Sequence, residues 1–262
     1  MWASSTGGSD GLVPQRRWRK AGRMEMRRSV GDVARAVVGL LLPGRCASCG
    51  QPADVLCRPC RHDFSRARLP FPSRATPTPC PPGLPTTITA APLVEPLRGL
   101  VTAYKDQGRR DLVDLLADVL AGALRVAVHA TTSPVVVPVP GSSRGRRHRG
   151  DRPVEDLVVA ATARLADPPP VWRAVVFARS PADQAGLDRE ARAANLRESM
   201  VPSPGLGRRL EGRQVVIVDD VMTTGATLVE AARVLRECGA HPRAAVLAAT
   251  QRQPVVRDRD PD

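Results

Sequence analysis

Two hydrophobic patterns alternate along the chain from residue 86 onward. Short apolar runs that are typical of buried strands are followed by segments in which apolar residues recur at helical spacing. The clearest amphipathic helix is predicted over 111–130, where Leu112, Leu116, Val119 and Ala123 share one face. Strands are predicted over 86–91, 135–139, 171–178, 215–218 and 244–249, and helices over 97–104, 154–166, 189–196 and 227–238. This alternation predicts an α/β fold with a mostly parallel sheet flanked by helices.

The chain before residue 86 follows neither pattern for long. Residues 30–42 predict a short helix that leads into a cysteine-rich module ending near residue 65. The Pro-, Ser- and Thr-rich residues 66–85 predict a linker. Residues 1–29 are expected to be disordered or a non-native extension, because Met24 and Met26 precede the first patterned segment. With a disordered tail over 251–262, the predicted main domain spans residues 86–250.

Composition and charge add two restrictions. The 262 residues are enough for one core of ordinary size and a smaller module. The formal net charge of +13 comes almost entirely from arginine, since Lys20 and Lys105 are the only lysines, and it favours anionic partners. No apolar run approaches the ~20 residues of a membrane span, and Arg35 interrupts the apolar stretch 33–42. The sequence therefore predicts a cytoplasmic protein without a membrane span.

Four of the six cysteines form two C-x-x-C pairs, Cys46 with Cys49 and Cys57 with Cys60. Each pair places two thiolates where they can bind one tetrahedral ion, so in a cytoplasmic protein this spacing predicts a structural zinc site. Two redox-active pairs, or a chance spacing, are the alternatives. Cys80 and Cys238 fall outside the pattern and are not expected to be ligands.

The apolar run 215–218 leads into the adjacent carboxylates of Asp219 and Asp220 and then into a turn of small and hydroxyl-bearing residues. The turn and the helix start that follows it contain Met222, Thr223, Thr224, Gly225, Ala226 and Thr227. Carboxylates can accept hydrogen bonds from paired sugar hydroxyls, and backbone N–H groups at a helix start can bind a phosphate. These residues predict a site for a phosphorylated sugar. An ordinary strand–turn–helix with an acidic edge is the alternative.

Three further segments carry candidate chemistry. A turn follows the strand at 135–139, and its backbone can approach an anion, although such turns are common in loops. Its residues are Pro140, Gly141 and Ser142. The next segment is an arginine run that suits a polyanion, or else is a solvated charged stretch. Its arginines are Arg144, Arg146, Arg147 and Arg149. The third segment contains Arg179, Gln184, Arg192 and Asn195.

In order and spacing, these features resemble the ComF/GntX family of phosphoribosyltransferase-like competence proteins. That family has an N-terminal zinc knuckle, a tyrosine–lysine segment, a Pro-Val-Pro turn, an arginine-rich stretch, a Gln-x-x-Leu loop and an Asp-Asp turn. The matching positions are residues 46–60, Tyr104 with Lys105, and residues 138–140, 144–149, 184–187 and 219–227, within about residues 40–250. One segment departs from the family. Where it usually has Gly-Phe-Asn-Gln, this chain has Gly150, Asp151, Arg152 and Pro153.

The resemblance implies a type I phosphoribosyltransferase-like domain preceded by a small zinc module with four cysteine ligands. It implies that phosphoribosyl pyrophosphate (PRPP) binds with Mg²⁺, that Asp219 and Asp220 hold the ribose hydroxyls, and that the turn after them cradles the 5-phosphate. The turn at 140–142 would then be the pyrophosphate loop. The segment with Arg179, Gln184 and Arg192 would be a hood loop over the site.

The resemblance also implies a role in DNA uptake during natural transformation. Single-stranded DNA and the competence helicase machinery would be partners, with the arginine run as the DNA contact. Aromatic residues make up only 3% of the chain, so DNA contacts are expected to be mainly to phosphates. The alternative function is an active phosphoribosyltransferase, which transfers ribose-5-phosphate from PRPP to a nitrogen acceptor in nucleotide salvage.

Overall fold

The computed structural model describes residues 44–67, 72–141, 152–178 and 198–250. The helices in these ranges are α1 (Arg58–Ala67), α2 (Leu97–Lys105), α3 (Val113–His129), α4 (Pro153–Thr162) and α5 (Ala226–Glu237). The strands are β1 (Ser73–Ala75), β2 (Thr87–Pro92), β3 (Val135–Pro138), β4 (Val175–Phe177), β5 (Met200–Pro202), β6 (Gln214–Met222) and β7 (His241–Ala249). Single 3₁₀ turns cover Arg110–Leu112 and Gly207–Leu210. Within the described ranges, every helix is too short or too polar to cross a lipid bilayer.

Five strands form the main sheet, in the order β1–β2–β7–β6–β3. Neighbouring strands are parallel except for β1 and β2, which are antiparallel. The predicted α/β fold with a mostly parallel sheet is therefore confirmed. Because parallel strands run in the same direction, the carboxyl ends of β2, β3, β6 and β7 meet at one edge of the sheet, where ligands bind in such folds.

Alternate side chains of β6 pack on opposite faces of this sheet. Val216 and Val218 belong to a buried cluster with residues of α2, α3 and α4, whereas Val215 and Ile217 belong to a second cluster with residues of α5. The run of β-branched residues fits this arrangement, because a parallel strand covered on both faces has no polar side. The first cluster also contains Cys46, Leu56 and Phe64, so the cysteine module packs against the α2–α3 face.

The structure differs from the predicted linker over 66–85. Ser73 pairs with Thr89 and Ala75 with Thr87, which makes β1 an edge strand of the main sheet. Farther along, Arg236 Nη1 donates a hydrogen bond of 2.8 Å to the carbonyl oxygen of Gly83, which ties this segment to α5. A three-residue strand among prolines is too short to show a period in the sequence.

The strand predicted over 171–178 is divided between two sheets. Val171 makes a single parallel bridge with Val136, and the chain then leaves the main sheet. Strand β4 pairs antiparallel with β5, which lies in a segment for which no strand was predicted. An apolar run predicts burial but not the strand that will be its partner, so the sequence pattern could not separate the two pairings. The helices predicted over 30–42 and 189–196 lie outside the described residues.

Candidate functional site

The acidic pair lies at the carboxyl end of β6, as predicted. Asp219 and Asp220 are only 8% and 3% exposed. Asp219 Oδ1 accepts a hydrogen bond of 2.9 Å from the N–H of Asp220, and Asp220 Oδ1 accepts one of 2.7 Å from the N–H of Val221. Each carboxylate is thus oriented by the backbone of the next residue, which leaves its other oxygen for another partner.

Lys105 is the cation closest to this pair. Its Nζ lies 2.7 Å from Asp220 Oδ2 and forms an ion pair with it. This ammonium is the ionic partner of the buried Asp220 Oδ2, which has no further hydrogen-bond donor among the described residues. A carboxylate oxygen can accept more than one hydrogen bond, so Asp220 Oδ2 can also accept one from a ligand at this edge.

Burial and mutual repulsion change the protonation of this site. Burial, followed by the negative charge of Asp220, raises the pKa of Asp219 to about 8, although Lys105 opposes the change. Burial works to lower the pKa of Lys105, but the charges of Asp220 and Asp219 outweigh it and raise that pKa. One carboxyl group of the pair is therefore held protonated near neutral pH while Lys105 stays charged, which limits the net charge buried at this edge.

The turn after β6 has the geometry of an anion site. Gly225 adopts a left-handed conformation with φ of 79°, and α5 begins at the next residue. In the described part of the chain, the N–H groups of Thr223, Thr224 and Gly225 donate no backbone hydrogen bond, while Thr224 Oγ1 accepts one of 3.3 Å from Ala226. Free N–H groups at the positive end of a helix can bind a phosphate. Thr223 is exposed, and Thr224, Ala226 and Thr227 are partly exposed.

Residues of the proline-rich segment pack against this turn. A Cβ atom placed on Gly225 would lie 2.8 Å from Leu84 Cδ1, 3.5 Å from Pro81 Cγ and 3.7 Å from Pro77 Cγ. Glycine is therefore favoured at residue 225 by its positive φ, and a Cβ there would also require the Leu84 side chain to shift. The sequence pattern predicted the turn but did not indicate the neighbour that packs on it.

The second predicted turn reaches the same edge of the sheet. Strands β3 and β6 are parallel, with Pro138 opposite Val218, and the N–H of Val139 donates a hydrogen bond of 2.9 Å to the carbonyl oxygen of Val218. Pro140 and the exposed Gly141 follow directly, so they lie on the side of the acidic pair. Ser142, the arginines of the run 144–149, and Arg179, Gln184 and Arg192 lie outside the described residues.

The four predicted cysteine ligands come together. Their Sγ atoms all lie within 4.8 Å of one another, and Cys49 Sγ is 3.6 Å from Cys57 Sγ. Zn–S bonds of ~2.3 Å in a tetrahedron place thiolates about 3.8 Å apart, so the cluster fits one such ion. Four cysteines are a typical structural zinc set and leave no open coordination position. Cys80 and Cys238 are not part of the group.

Arg109 connects the cysteine module to the segment that carries Lys105. Its Nη1 donates a hydrogen bond of 2.8 Å to the carbonyl oxygen of Arg45, and its Nη2 donates one of 3.2 Å to that of Asp54. Asp111 fixes the guanidinium through an ion pair of 2.7 Å. The sequence analysis did not single out Arg109, because its partners are backbone atoms more than fifty residues away and leave no pattern in the sequence.

The segment that departs from the family pattern contacts the tyrosine of the tyrosine–lysine pair. Pro153 begins α4, and its carbonyl oxygen accepts a hydrogen bond of 2.8 Å from the Tyr104 hydroxyl. Tyr104 is otherwise buried. Arg152 pairs with Glu155 at 3.2 Å. Among the residues that replace the family's aromatic and amide side chains, Pro153 thus begins α4, and Arg152 forms an ion pair with a residue of that helix.

Comparison with known proteins agrees with this geometry. Residues 173–262 match the family model described as Phosphoribosyl transferase domain. DNA utilization protein YhgH of Escherichia coli (strain K12) is 28% identical over 198 residues, which cover 74% of this chain and 79% of that protein. Competence protein F of Haemophilus influenzae is 31% identical over 149 residues, 56% of this chain and 64% of that protein.

A shorter similarity is higher in identity. Adenine phosphoribosyltransferase of Mycolicibacterium smegmatis is 55% identical over 38 residues, which are 14% of this chain and 21% of that enzyme. These relatives, the domain match, the parallel sheet and the cysteine group together confirm the resemblance to the ComF family. Residues 173–262 carry a phosphoribosyltransferase domain, and the chain is related to proteins named DNA utilization protein YhgH and Competence protein F.

Proposed function

We propose that this protein binds PRPP with Mg²⁺ at the carboxyl edge of the sheet and acts in the use of DNA that enters the cell. The observation that carries the first part is the buried Asp220 Oδ2, which has Lys105 as its ionic partner and no further hydrogen-bond donor among the described residues. A ribose hydroxyl would supply that donor. The N–H groups of the turn at 223–225, which donate no backbone hydrogen bond within the described ranges, would bind the 5-phosphate of the same sugar.

Different residues of the site would bind different parts of PRPP. Asp219 and Asp220 would hold the ribose hydroxyls, and because the raised pKa of Asp219 favours its protonated form, that carboxyl can donate as well as accept a hydrogen bond. Pro140, Gly141 and Ser142 would line the pyrophosphate. Mg²⁺, when bound, would neutralise negative charge on the pyrophosphate. Arg179, Gln184 and Arg192 would form the hood that excludes water from the site.

The DNA role rests on the relatives and on charge. The names DNA utilization protein and Competence protein F belong to relatives that align with more than half of this chain. The net charge of +13 suits a polyanion, and Arg144, Arg146, Arg147 and Arg149 would contact phosphates of single-stranded DNA. Structural zinc in the cysteine group, a cytoplasmic location and an association with competence helicase machinery complete the proposal.

A second candidate function is an active phosphoribosyltransferase in nucleotide salvage. The matched domain and the 38-residue similarity to an adenine phosphoribosyltransferase favour it. In that case a nitrogen nucleophile would attack C1 of PRPP as pyrophosphate leaves, and catalysis would come from positioning and from cations near the leaving group. Release of pyrophosphate on addition of a nucleobase separates this function from binding alone.

The test of PRPP binding is a thermal shift with PRPP and Mg²⁺. A ligand present at 100 times its Kd adds about 2.7 kcal/mol of stability, which raises the Tm of a chain of this size by about 5–10 °C. The shift should disappear in Asp220→Asn and persist in Asp167→Asn, an exposed acid that serves as the control. No shift in the unmodified protein at millimolar PRPP, or a full shift in Asp220→Asn, would contradict the proposal.

A further inference from the structure

Two arginines stack on one tryptophan at the edge of the sheet opposite the acidic pair. The guanidinium carbon of Arg209 lies 5.1 Å from the ring centroid of Trp172, and that of Arg213 lies 5.7 Å from it. Arg209 belongs to the 3₁₀ turn Gly207–Leu210, and Arg213 directly precedes β6. The indole packs partly into the cluster that contains α5, so it provides a fixed platform for both side chains.

The two stacked arginines can be compared with arginines whose charge the fold neutralises. Among the described residues, ion pairs with carboxylates are formed by Arg109, Arg152, Arg164, Arg173 and Arg233. In the same ranges, neither Arg209 nor Arg213 pairs with a carboxylate, and the neighbouring Arg208 does not either. All three are exposed. The stacked pair is thus positioned by the fold but is not neutralised by it.

Trp172, Arg209 and Arg213 lie far from the proposed PRPP site. Arg213 lies seven residues before Asp220 on the same stretch of chain, and a strand rises ~3.3 Å per residue, so about 20 Å lies between them. Val171, the residue before Trp172, bridges Val136 near the amino end of β3, at the same edge as Arg213. A ligand at the tryptophan would therefore leave the carboxyl edge free for PRPP.

We propose that Trp172, Arg209 and Arg213 form a binding site for the phosphodiester backbone of single-stranded DNA. A guanidinium that stacks on an indole keeps its in-plane N–H donors free, and its orientation suits bidentate binding to a phosphate. Because both guanidiniums lie within 6 Å of one ring, they can bind neighbouring phosphates of one strand. Because the indole also packs against the core, it holds both cations in place for the phosphates of the strand.

This assignment rests on the proposed DNA role, and it adds a contact that is separate from the arginine run at 144–149. Both contacts can act on one strand, because a strand that follows the protein surface meets positive charges in succession. The two differ in physical character. The run is a local excess of charge in sequence, whereas the site at Trp172 is assembled from segments about forty residues apart in the chain.

The test is the affinity for a fluorescent oligo-dT at several salt concentrations. Arg209→Ala combined with Arg213→Ala should weaken binding about tenfold and reduce the slope of log K against log salt by about 1.4, because each single-strand phosphate contact contributes ~0.7. Arg66→Ala with Arg125→Ala removes the same charge from exposed positions elsewhere and should leave affinity nearly unchanged. Arg209→Lys with Arg213→Lys keeps the charge but loses the planar stack, and should bind more weakly than the unmodified protein.

The outcomes separate the two proposals. If the unmodified protein does not bind oligo-dT, the proposed DNA role fails, and this site fails with it. If it binds and Arg209→Ala with Arg213→Ala behaves like the control pair, the DNA role stands and the site at Trp172 is wrong. The thermal shift with PRPP should be retained in the double variant, which shows that its fold is intact.

Discussion

Lys105 Nζ lies 2.7 Å from Asp220 Oδ2, which joins the last residue of α2 to the acidic end of β6. The ion pair brings together two motifs of the family pattern that are far apart in the chain, the tyrosine–lysine segment and the Asp-Asp turn. Asp220 is buried, whereas the Lys105 side chain is 38% exposed. The lysine is therefore a cation that faces both the acidic pair and solvent, where an anionic ligand would arrive.

Replacement of Lys105 by methionine should destabilise the protein. Two buried carboxyl groups would lose their nearest cation, at a cost of about 1–3 kcal/mol, and the loss should be near the low end because water screens the exposed ammonium. Urea denaturation at pH 8 measures the change. Lys105→Arg keeps the charge and serves as the control. If Lys105→Met has the stability of the unmodified protein at pH 8, the ion pair has no net stabilising effect.

The pKa of Asp219 predicts how stability changes with pH. In the unfolded chain this carboxyl has a pKa near 4, and in the fold burial and Asp220 raise it to about 8. The folded state therefore binds more protons than the unfolded state between these values, and this group lowers stability as pH rises through that window. In Asp219→Asn, the free energy of unfolding from urea titrations should decline less between pH 5 and pH 8.5 than it does in the unmodified protein.

A second buried acid does not disturb that measurement. Although burial works to raise the pKa of Glu230, Arg233 and the N–H of Met200 lower it overall. Its contribution to stability is present above its unfolded pKa of about 4.5 and is lost only at more acid pH. If the free energy of unfolding declines as steeply from pH 5 to pH 8.5 in Asp219→Asn as in the unmodified protein, Asp219 is not the group responsible.

Gly225 and Gly205 form a matched pair for the turn after β6. Both have positive φ, 79° and 76°, but a Cβ at Gly205 would meet nothing within 4 Å, whereas one at Gly225 would meet Leu84 at 2.8 Å. Gly205→Ala should cost about 1–2 kcal/mol through backbone strain alone, and Gly225→Ala should cost ~1–3 kcal/mol more through the clash. Urea denaturation measures both. Equal losses would show that Leu84 moves away freely.

The cysteine group should bind one zinc ion per chain. Cys49→Ser or Cys60→Ser removes a ligand, so the metal content measured by mass spectrometry should fall, and the Tm should fall with it because Cys46, Leu56 and Phe64 pack in the core. Cys80→Ser is the control, since Cys80 lies outside the group. Disulfides between the cysteine pairs in the purified protein, without metal, would favour redox chemistry instead.

Much of the fold could be predicted from periodicity. The β-branched run that forms β6 and the helical spacing in α3 are strong local signals. A strand that is buried on both faces has a continuous apolar run, and a helix that is buried on one face has apolar residues at a period of 3.6. The cysteine spacing and the order of carboxylates, hydroxyls and Gly225 are local as well, since each forms within one turn of the chain. The structure confirms the predicted sheet and the clustering of the four cysteines, whereas the contacts to PRPP and DNA remain predictions.

The sequence by itself therefore determined most of the strands and helices, although not β1 and β5, and it determined which short motifs are candidates for chemistry. Only the tertiary structure decided which distant segments meet: Lys105 with Asp220, Leu84 with Gly225, Arg109 with the cysteine module, and Trp172 with Arg209 and Arg213. The physical reason is that these contacts depend on the order of strands in the sheet and on the packing of its two faces. Neither leaves a periodic trace in the residues that take part.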